Sequence, residues 1–222
     1  IDALYLRAGP AAASLTLVAT GGYGRAELCP LSDIDLLVLV PAHTAETKQA
    51  VETILYPLWD VGLKVGQSVR TVAEAADYAR NDLHLHVALL ETRLLCGERS
   101  QFAQLEVRLS ELLSGEAWQP LAKAIVESQR KRREKAGGSA YLQEPDLKNG
   151  VGALRDVQGC VWLARIARGV AGLGAAGFLP VGDLQKFEQA KATLLRLRCE
   201  LHFQVTRPTE QLSLERQDTM SE

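Results

Sequence analysis

The sequence has no excess of basic charge, no long apolar run and no paired cysteines. Its 222 residues include 25 lysines and arginines against 27 aspartates and glutamates, so no overall positive field favours nucleic acid. No apolar stretch reaches the roughly 18 residues that span a bilayer, and no signal peptide opens the chain. The four scattered cysteines exclude a disulfide framework or a zinc knuckle and suggest buried thiols. These absences predict a soluble cytoplasmic protein, and the Ile at position 1 suggests a fragment of a longer one.

The first 100 residues alternate between strand and helix patterns. Short apolar runs predict two strands, at 15–20 and 34–40, and an alternating pattern predicts a third strand at 64–71. Between the second and the third, Thr44 is expected to cap a helix that ends near Val61. Strands and helices in so short a span indicate a small sheet flanked by helices.

Beyond residue 72 the pattern predicts helices only. Leucines at helical spacing indicate a helix that Gly97 ends, and Asp183 is expected to cap a long last helix. Two further helices fit residues 101–113 and 117–135. The predicted fold class is therefore α+β, with a small mixed β-sheet core and flanking helices in a first domain (1–97), followed by an all-helical domain (98–222).

Two aspartates stand at the start of the second predicted strand. Because side chains alternate across a strand, Asp33 and Asp35 point the same way, with Cα atoms about 6.5–7 Å apart. Carboxylates that converge in this way repel each other unless a cation lies between them, and oxygen ligands suit Mg²⁺. Two such ions about 3.5–4 Å apart can bridge nucleotide phosphates and activate a hydroxyl. We therefore predict that both aspartates bind metal and act in catalysis.

A glycine turn precedes the acidic pair. Gly21 and Gly22 follow the first strand, where glycines let backbone N–H groups approach a polyphosphate. Either motif alone is common in structural turns, but the two together, between apolar strands, favour nucleotidyl transfer. Ser32 and Arg25 are further candidate nucleotide ligands. Each also has a structural alternative, since Ser32 can bond to the turn backbone and Arg25 can cover the sheet edge.

The segment at residues 21–37 (GGYGRAELCPLSDIDLL) resembles the nucleotidyltransferase domain of bacterial PII uridylyltransferase/uridylyl-removing enzymes, which belong to the DNA polymerase β-like nucleotidyltransferase superfamily. Residues 58–71 and 144–158 agree with this resemblance. It implies transfer of UMP from UTP to a tyrosine of the PII signalling protein, with Mg²⁺ or Mn²⁺ as cofactor. It also implies that Gly21 and Gly22 line the triphosphate, while Asp33 and Asp35 hold the metal.

Three positions depart from the pattern of this family. Gln67 stands where the family usually has His, and Val151 and Ala153 stand where Pro and Gly are usual. These departures bear on substrate details rather than on the class of reaction.

The third carboxylate of the superfamily is missing from the third predicted strand. Asp60 and Asp82 are the nearest acids, and each is more typical of a helix cap or a solvated helix end. If neither serves, deprotonation of the acceptor tyrosine falls to Asp33, Asp35 or a base from solution.

A second glycine-spaced turn, at residues 148–156, has cations near both ends. By the resemblance, Lys148 and Arg155 are predicted to bind the nucleotide. The structural alternative is a glycine turn with a salt bridge at the start of a helix. Asp156 can orient Arg155 or bind metal.

Two features argue against further activities. The basic run at 130–135 is typical of a solvated helix end and lacks the interleaved aromatics of a nucleic-acid site. The uridylyl-removing module of the family depends on a His-Asp metal site, and the sequence contains no His-Asp pair. We therefore expect neither nucleic-acid binding nor the hydrolytic activity, and we expect the regulatory ligand-binding domains of the family to be missing too.

Two other functions remain open. A relative could transfer AMP or use another acceptor, because no base-recognising residue is identified. The chain could also be a catalytically silent nucleotide-sensing module, which the missing third carboxylate favours.

Overall fold

The computed structural model describes residues 1–170 and 172–221. The chain divides into two compact units. The first contains Ile1–Leu28 and Ser32–Ser114, and the second contains Cys29–Leu31 and the described part of Gly115–Glu222.

The first unit is built on one mixed sheet. In the described part of the chain the sheet has four strands in the order β3-β2-β1-β4. They are β1 (Thr16–Ala19), β2 (Ile34–Leu39), β3 (Val65–Arg70) and β4 (Arg93–Gly97). Strand β1 pairs antiparallel with β2 and β4, whereas β3 pairs parallel with β2. The three predicted strands and the α+β class are confirmed.

Helices surround this sheet. They are α1 (Asp2–Arg7), α2 (Gly21–Gly24), α3 (Ala45–Asp60), α4 (Val72–Asn81), α5 (Leu83–Leu90) and α6 (Arg99–Leu112), with a short 3₁₀ turn at Gly9–Ala12. The predicted cap of α3 is confirmed, because the Thr44 hydroxyl accepts from the Thr47 N–H at 3.2 Å. The Thr47 hydroxyl in turn accepts from the Thr44 N–H at 3.0 Å, so two N–H groups at the helix start are satisfied.

Apolar side chains pack on both faces of the sheet. Because successive side chains along β2 point to opposite faces, they alternate between two clusters. Leu36 and Val38 pack in one cluster with the apolar stripe of α3. Leu37 and Leu39 pack in a second cluster with residues of α4, α5 and α6. Each fully buried leucine contributes about 1.5–3 kcal/mol. Asp35 shares its face with Leu37, so it points away from the α3 side.

The helix predicted from Leu83 to Gly97 is confirmed in its first part, but its predicted end is wrong. Helix α5 ends at Leu90, and residues 93–97 form β4 against β1. Gly97 (φ +103°) is the last residue of this strand, where a Cβ would come 2.1 Å from the Leu15 carbonyl oxygen. The free edge of β1 supplies hydrogen bonds that outweigh the local helical spacing of the leucines.

The first compact unit continues past residue 97. Helix α6 packs Leu105 and Leu109 into the same cluster as Leu37 and Leu39, so it is part of the core of this unit. The assignment of functional domains to 1–97 and 98–222 stays a prediction.

The second unit contains only helices and loops among its described residues, apart from one isolated bridge between Asp146 and Gln211. The helices are α7 (Trp118–Lys135), α8 (Leu154–Arg168), α9 (Leu173–Ala176), α10 (Val181–Phe203) and α11 (Leu214–Ser221). The predicted long helix is confirmed as α10, but it is not the last helix, because α11 follows it, and its predicted cap is wrong. Pro180 is the N-cap, and the Asp183 carboxylate accepts from Lys186 Nζ at 3.2 Å within the first turn.

The four cysteines are free thiols, as expected, but they are not uniformly buried. Cys29 is buried and Cys160 is exposed, while Cys96 and Cys199 are half-buried. In the residues that the structure describes, no helix is both long and apolar enough to cross a membrane.

Candidate active site

The glycine turn and the acidic pair are joined through the first two strands. Helix α2 begins at Gly21 (φ +54°), immediately after β1. The Thr20 N–H donates to the Asp35 carbonyl at 3.0 Å, which extends the ladder between β1 and β2 by one bond. This backbone bond places the start of the turn next to the second aspartate.

The carboxylate of Asp35 lies between two glycines. A Cβ on Gly21 would come 3.1 Å from Asp35 Oδ2, and a Cβ on Gly66 would come 2.9 Å from Asp35 Oδ1. Gly66 is directly opposite Asp35 in the parallel register of β2 and β3. Both carboxylate oxygens therefore lie against backbone that carries no side chain.

The first aspartate of the pair is more open. Asp33 is exposed and directly precedes β2, whereas Asp35 is half-buried. The Ile34 N–H donates to the Lys64 carbonyl at 2.8 Å, so the residue between the two aspartates is held by β3. Two carboxylates are hard oxygen donors, and the glycines beside Asp35 leave room at its oxygens. The residues present therefore fit a divalent cation such as Mg²⁺ or Mn²⁺.

No third acidic ligand joins this pair among the residues that the structure describes, which contain no group of three His, Cys, Asp or Glu suited to a metal. Asp82 caps α5, where its Oδ1 accepts from the Leu85 N–H at 2.9 Å. This bond is the main cause that lowers the pKa of Asp82. Asp60 is the exposed last residue of α3. Asp82 therefore has the structural role that its position at a helix start suggested.

Arg25 is tied to carboxylates of its own unit. Its Nε donates to Glu27 Oε2 at 2.6 Å, and its Nη1 donates to Glu91 Oε2. These side chains are largely buried, with 18%, 11% and 6% exposed for Arg25, Glu27 and Glu91. These contacts give Arg25 carboxylate partners at the glycine turn and at the residue that follows α5. Its role as a phosphate ligand stays a prediction, as does that of the half-buried Ser32.

Three residues that hold the glycine turn were not found from the sequence. Glu91 binds Arg25, and Arg93 donates to the Tyr23 carbonyl at 2.8 Å. Gly24 is packed against the end of α5, where a Cβ would come 1.7 Å from the Glu91 carbonyl oxygen. Arg93 belongs to β4, and because this strand was not predicted, its hydrogen bond to Tyr23 was not predicted either. The G-x-x-G spacing of the turn was the only available signal.

The cations of the second glycine turn have partners within their own unit. Lys148 Nζ lies 3.6 Å from Glu210 Oε1. Arg155 donates to Gln158 Oε1 at 2.9 Å, and its guanidinium lies 5.8 Å from the ring centroid of Trp162. The roles of Lys148 and Arg155 as nucleotide ligands stay predictions.

Asp156 is held by α7 and by its own turn. Its Oδ1 accepts from Arg132 and, at 2.9 Å, from Arg133 Nε, and its Oδ2 accepts from the Gly152 N–H at 2.7 Å. Three donors on one carboxylate fasten this glycine turn to α7.

Gln67 lies on the other face of the sheet from Asp35. It pairs with Leu36 in the parallel register and lines a cavity of about 570 Å³ together with residues of α3. The Gln that replaces the usual His of the family at position 67 therefore lies on the α3 face of the sheet, away from the carboxylate of Asp35.

Comparison with known proteins identifies the family of the chain. Residues 11–132, more than half of the chain, match the family model described as "Nucleotidyltransferase domain". The chain belongs to this nucleotidyltransferase family. Residues 121–222 match the model described as "GlnD PII-uridylyltransferase", which confirms the resemblance seen in the motifs.

Curated relatives carry one name. A protein named bifunctional uridylyltransferase/uridylyl-removing enzyme from Rhodospirillum rubrum is 38% identical to this chain over an alignment that covers 93% of it. A protein of the same name from Erythrobacter litoralis is 39% identical over 94% of the chain. A protein of the same name from Bradyrhizobium sp. strain BTAi1 is 40% identical to 91% of the chain. The chain spans only 22–23% of the length of these relatives.

Proposed function

We propose that this chain transfers UMP from UTP to a tyrosine hydroxyl of the PII signalling protein. The observation that carries the proposal is the Asp35 carboxylate set between Gly21 and Gly66, directly beside the glycine turn. Phosphoryl transfer relies on positioning and charge neutralisation rather than on covalent chemistry by the protein. Carboxylates at the start of a strand and a glycine turn beside them meet those two needs.

The residues of the chain divide the work between them. Gly21 and Gly22 line the triphosphate, because the absence of a Cβ lets phosphate oxygens approach the backbone of the turn. Asp33 and Asp35 would hold the divalent cation, which when bound would neutralise charge at the phosphate oxygens and favour the ionised form of the acceptor hydroxyl. The contacts of Arg25 with Glu27 and Glu91 keep the turn in place while the substrates bind.

A second candidate function is a nucleotide-sensing module without catalytic activity. The absence of a third acidic group among the residues that the structure describes favours it. In such a module the glycine turn and Asp35 bind the nucleotide, but the acceptor is not deprotonated.

Transfer of label from nucleotide to acceptor distinguishes these functions. The chain is incubated with UTP labelled at the α-phosphate, Mg²⁺ and PII, alongside a PII variant whose acceptor tyrosine is replaced by Phe. We expect label on wild-type PII only. Binding of UTP without label transfer supports the sensing module, and transfer from labelled ATP in place of UTP supports the AMP-transferring relative.

A further inference from the structure

We propose that Gly66 is a positioning residue for Asp35 and that its missing side chain sets the metal affinity of the site. The inference deepens the proposed function and rests on its assignment of Asp35 as a metal ligand. Its starting point is the parallel register, in which the two residues are direct partners on neighbouring strands. Partners in this register project to the same face of the sheet.

The backbone at position 66 does not itself require glycine. Gly66 lies inside β3 and does not have the positive φ of Gly21 (+54°) or Gly62 (+81°). Glycine within a strand costs roughly 0.5–1 kcal/mol relative to alanine because of its greater freedom in the unfolded chain. The backbone conformation at position 66 therefore allows other residues, and most of them would make the strand more stable than glycine does.

What does require glycine is the Asp35 carboxylate. A Cβ at position 66 would come 2.9 Å from Asp35 Oδ1, and among the described residues other than its chain neighbours no further atom lies within 4 Å. That distance is shorter than real Cβ contacts. The contact is to the end of a side chain, so an added methyl group moves the carboxylate and leaves the strands in place.

Gly21 lies beside the other oxygen of this carboxylate. Its own ideal Cβ position is 3.1 Å from Asp35 Oδ2, on the opposite oxygen of the same carboxylate. The backbones of the turn and of β3 therefore flank the carboxylate on both sides. A side chain at position 66 would rotate the carboxylate away from the orientation that it shares with the turn.

The test compares Gly66→Ala with Gln67→Ala, a neighbouring exposed residue on the opposite face of β3. Mn²⁺ binding to the full chain in the presence of UTP is measured by electron paramagnetic resonance. Because residues that orient metal ligands typically contribute 10- to 100-fold to metal affinity, we expect Gly66→Ala to weaken Mn²⁺ binding about tenfold or more. Gln67→Ala should bind Mn²⁺ like the wild type, and thermal unfolding of Gly66→Ala should occur at an equal or higher temperature.

A double-mutant cycle separates an effect through Asp35 from a general one. In the Asp35→Asn background, Gly66→Ala should cause little further loss of Mn²⁺ affinity, because its effect acts through the carboxylate already removed. Wild-type Mn²⁺ affinity in Gly66→Ala, additive losses in the cycle, or no Mn²⁺ binding by the wild type would each overturn the inference. Failure of UMP transfer with normal Mn²⁺ and UTP binding would instead contradict the proposed function alone.

Discussion

The guanidinium of Arg25 donates to the carboxylate of Glu91, and this ion pair joins the glycine turn after β1 to the residue that directly follows α5. The pair links positions that are 66 residues apart in the sequence. With 18% and 6% of the two side chains exposed, both charges are largely removed from water. The turn that carries Gly21 and Gly22 is thus fixed by a contact that does not use either glycine.

Removal of Glu91 should destabilise the first unit. Breaking a buried ion pair usually leaves the remaining charge without compensation. In this case Glu27 still binds Arg25, so the compensation of the Arg25 charge is only partly lost. We expect Glu91→Ala to lower the free energy of unfolding by about 2–4 kcal/mol. Glu52→Ala is the control, because its pair with Lys48 is solvent-exposed and should change stability by less than about 1 kcal/mol. Urea denaturation followed by circular dichroism measures both, and equal effects would contradict the role given to Glu91.

Two glycines of the same turn should respond differently to alanine. A Cβ on Gly24 would meet the Glu91 carbonyl oxygen at 1.7 Å, whereas the nearest atom to a Cβ on Gly22 is 3.7 Å away. Gly24→Ala should therefore cost about 3 kcal/mol of stability. Gly22→Ala should unfold like the wild type but bind UTP more weakly, because its methyl group occupies space assigned to the triphosphate. Calorimetric titration with UTP and thermal unfolding test the pair, and unchanged UTP affinity in Gly22→Ala would remove this residue from the site.

Loss of either carboxylate of the acidic pair should abolish transfer without unfolding the chain. We expect Asp33→Asn and Asp35→Asn to lower the rate of UMP transfer by at least about 10²–10³-fold. Both residues lie at the exposed or half-buried start of β2, so the melting temperature should change little. Asp77→Asn, on the exposed face of α4, is the matched control and should retain the full rate. Normal turnover in either of the first two variants would refute their assignment as metal ligands.

His86 should make stability depend on pH. Its Nδ1 lies 3.0 Å from the Ala79 carbonyl oxygen, and its Nε2 is buried without a hydrogen-bond partner among the described residues. Burial lowers the pKa of His86 below its ordinary value of 6.5, although the Ala79 bond opposes the shift. The unfolded chain therefore takes up a proton before the folded one, so the stability linked to His86 is complete above pH 6.5 and is lost as the pH falls below it.

The variant His86→Asn isolates this effect. The Asn amide can still donate to the Ala79 carbonyl, but it carries no group that titrates near pH 6.5. Urea denaturation between pH 7.5 and 5 should show a smaller loss of stability in the variant than in the wild type. Equal slopes against pH would show that the imidazole does not contribute.

Local patterns were sufficient for the elements whose bonds are local. The cap of α3 depends on Thr44 and a residue three positions later, and the buried strands β1 and β2 appear as short apolar runs. Strand β4 was missed because its partner, β1, lies about 77 positions earlier in the chain. The leucines of this segment have helical spacing, and only pairing with a distant strand changes their conformation.

The sequence by itself determined the chemistry of the site: a glycine turn, two aspartates at the start of a strand, and membership of a nucleotidyltransferase family. Only the tertiary structure decided what surrounds those groups. It brought Gly66 opposite Asp35 and Glu91 to Arg25. The reason is physical, since residue types fix which bonds are possible, whereas the pairing of distant strands fixes which atoms come within reach of one another.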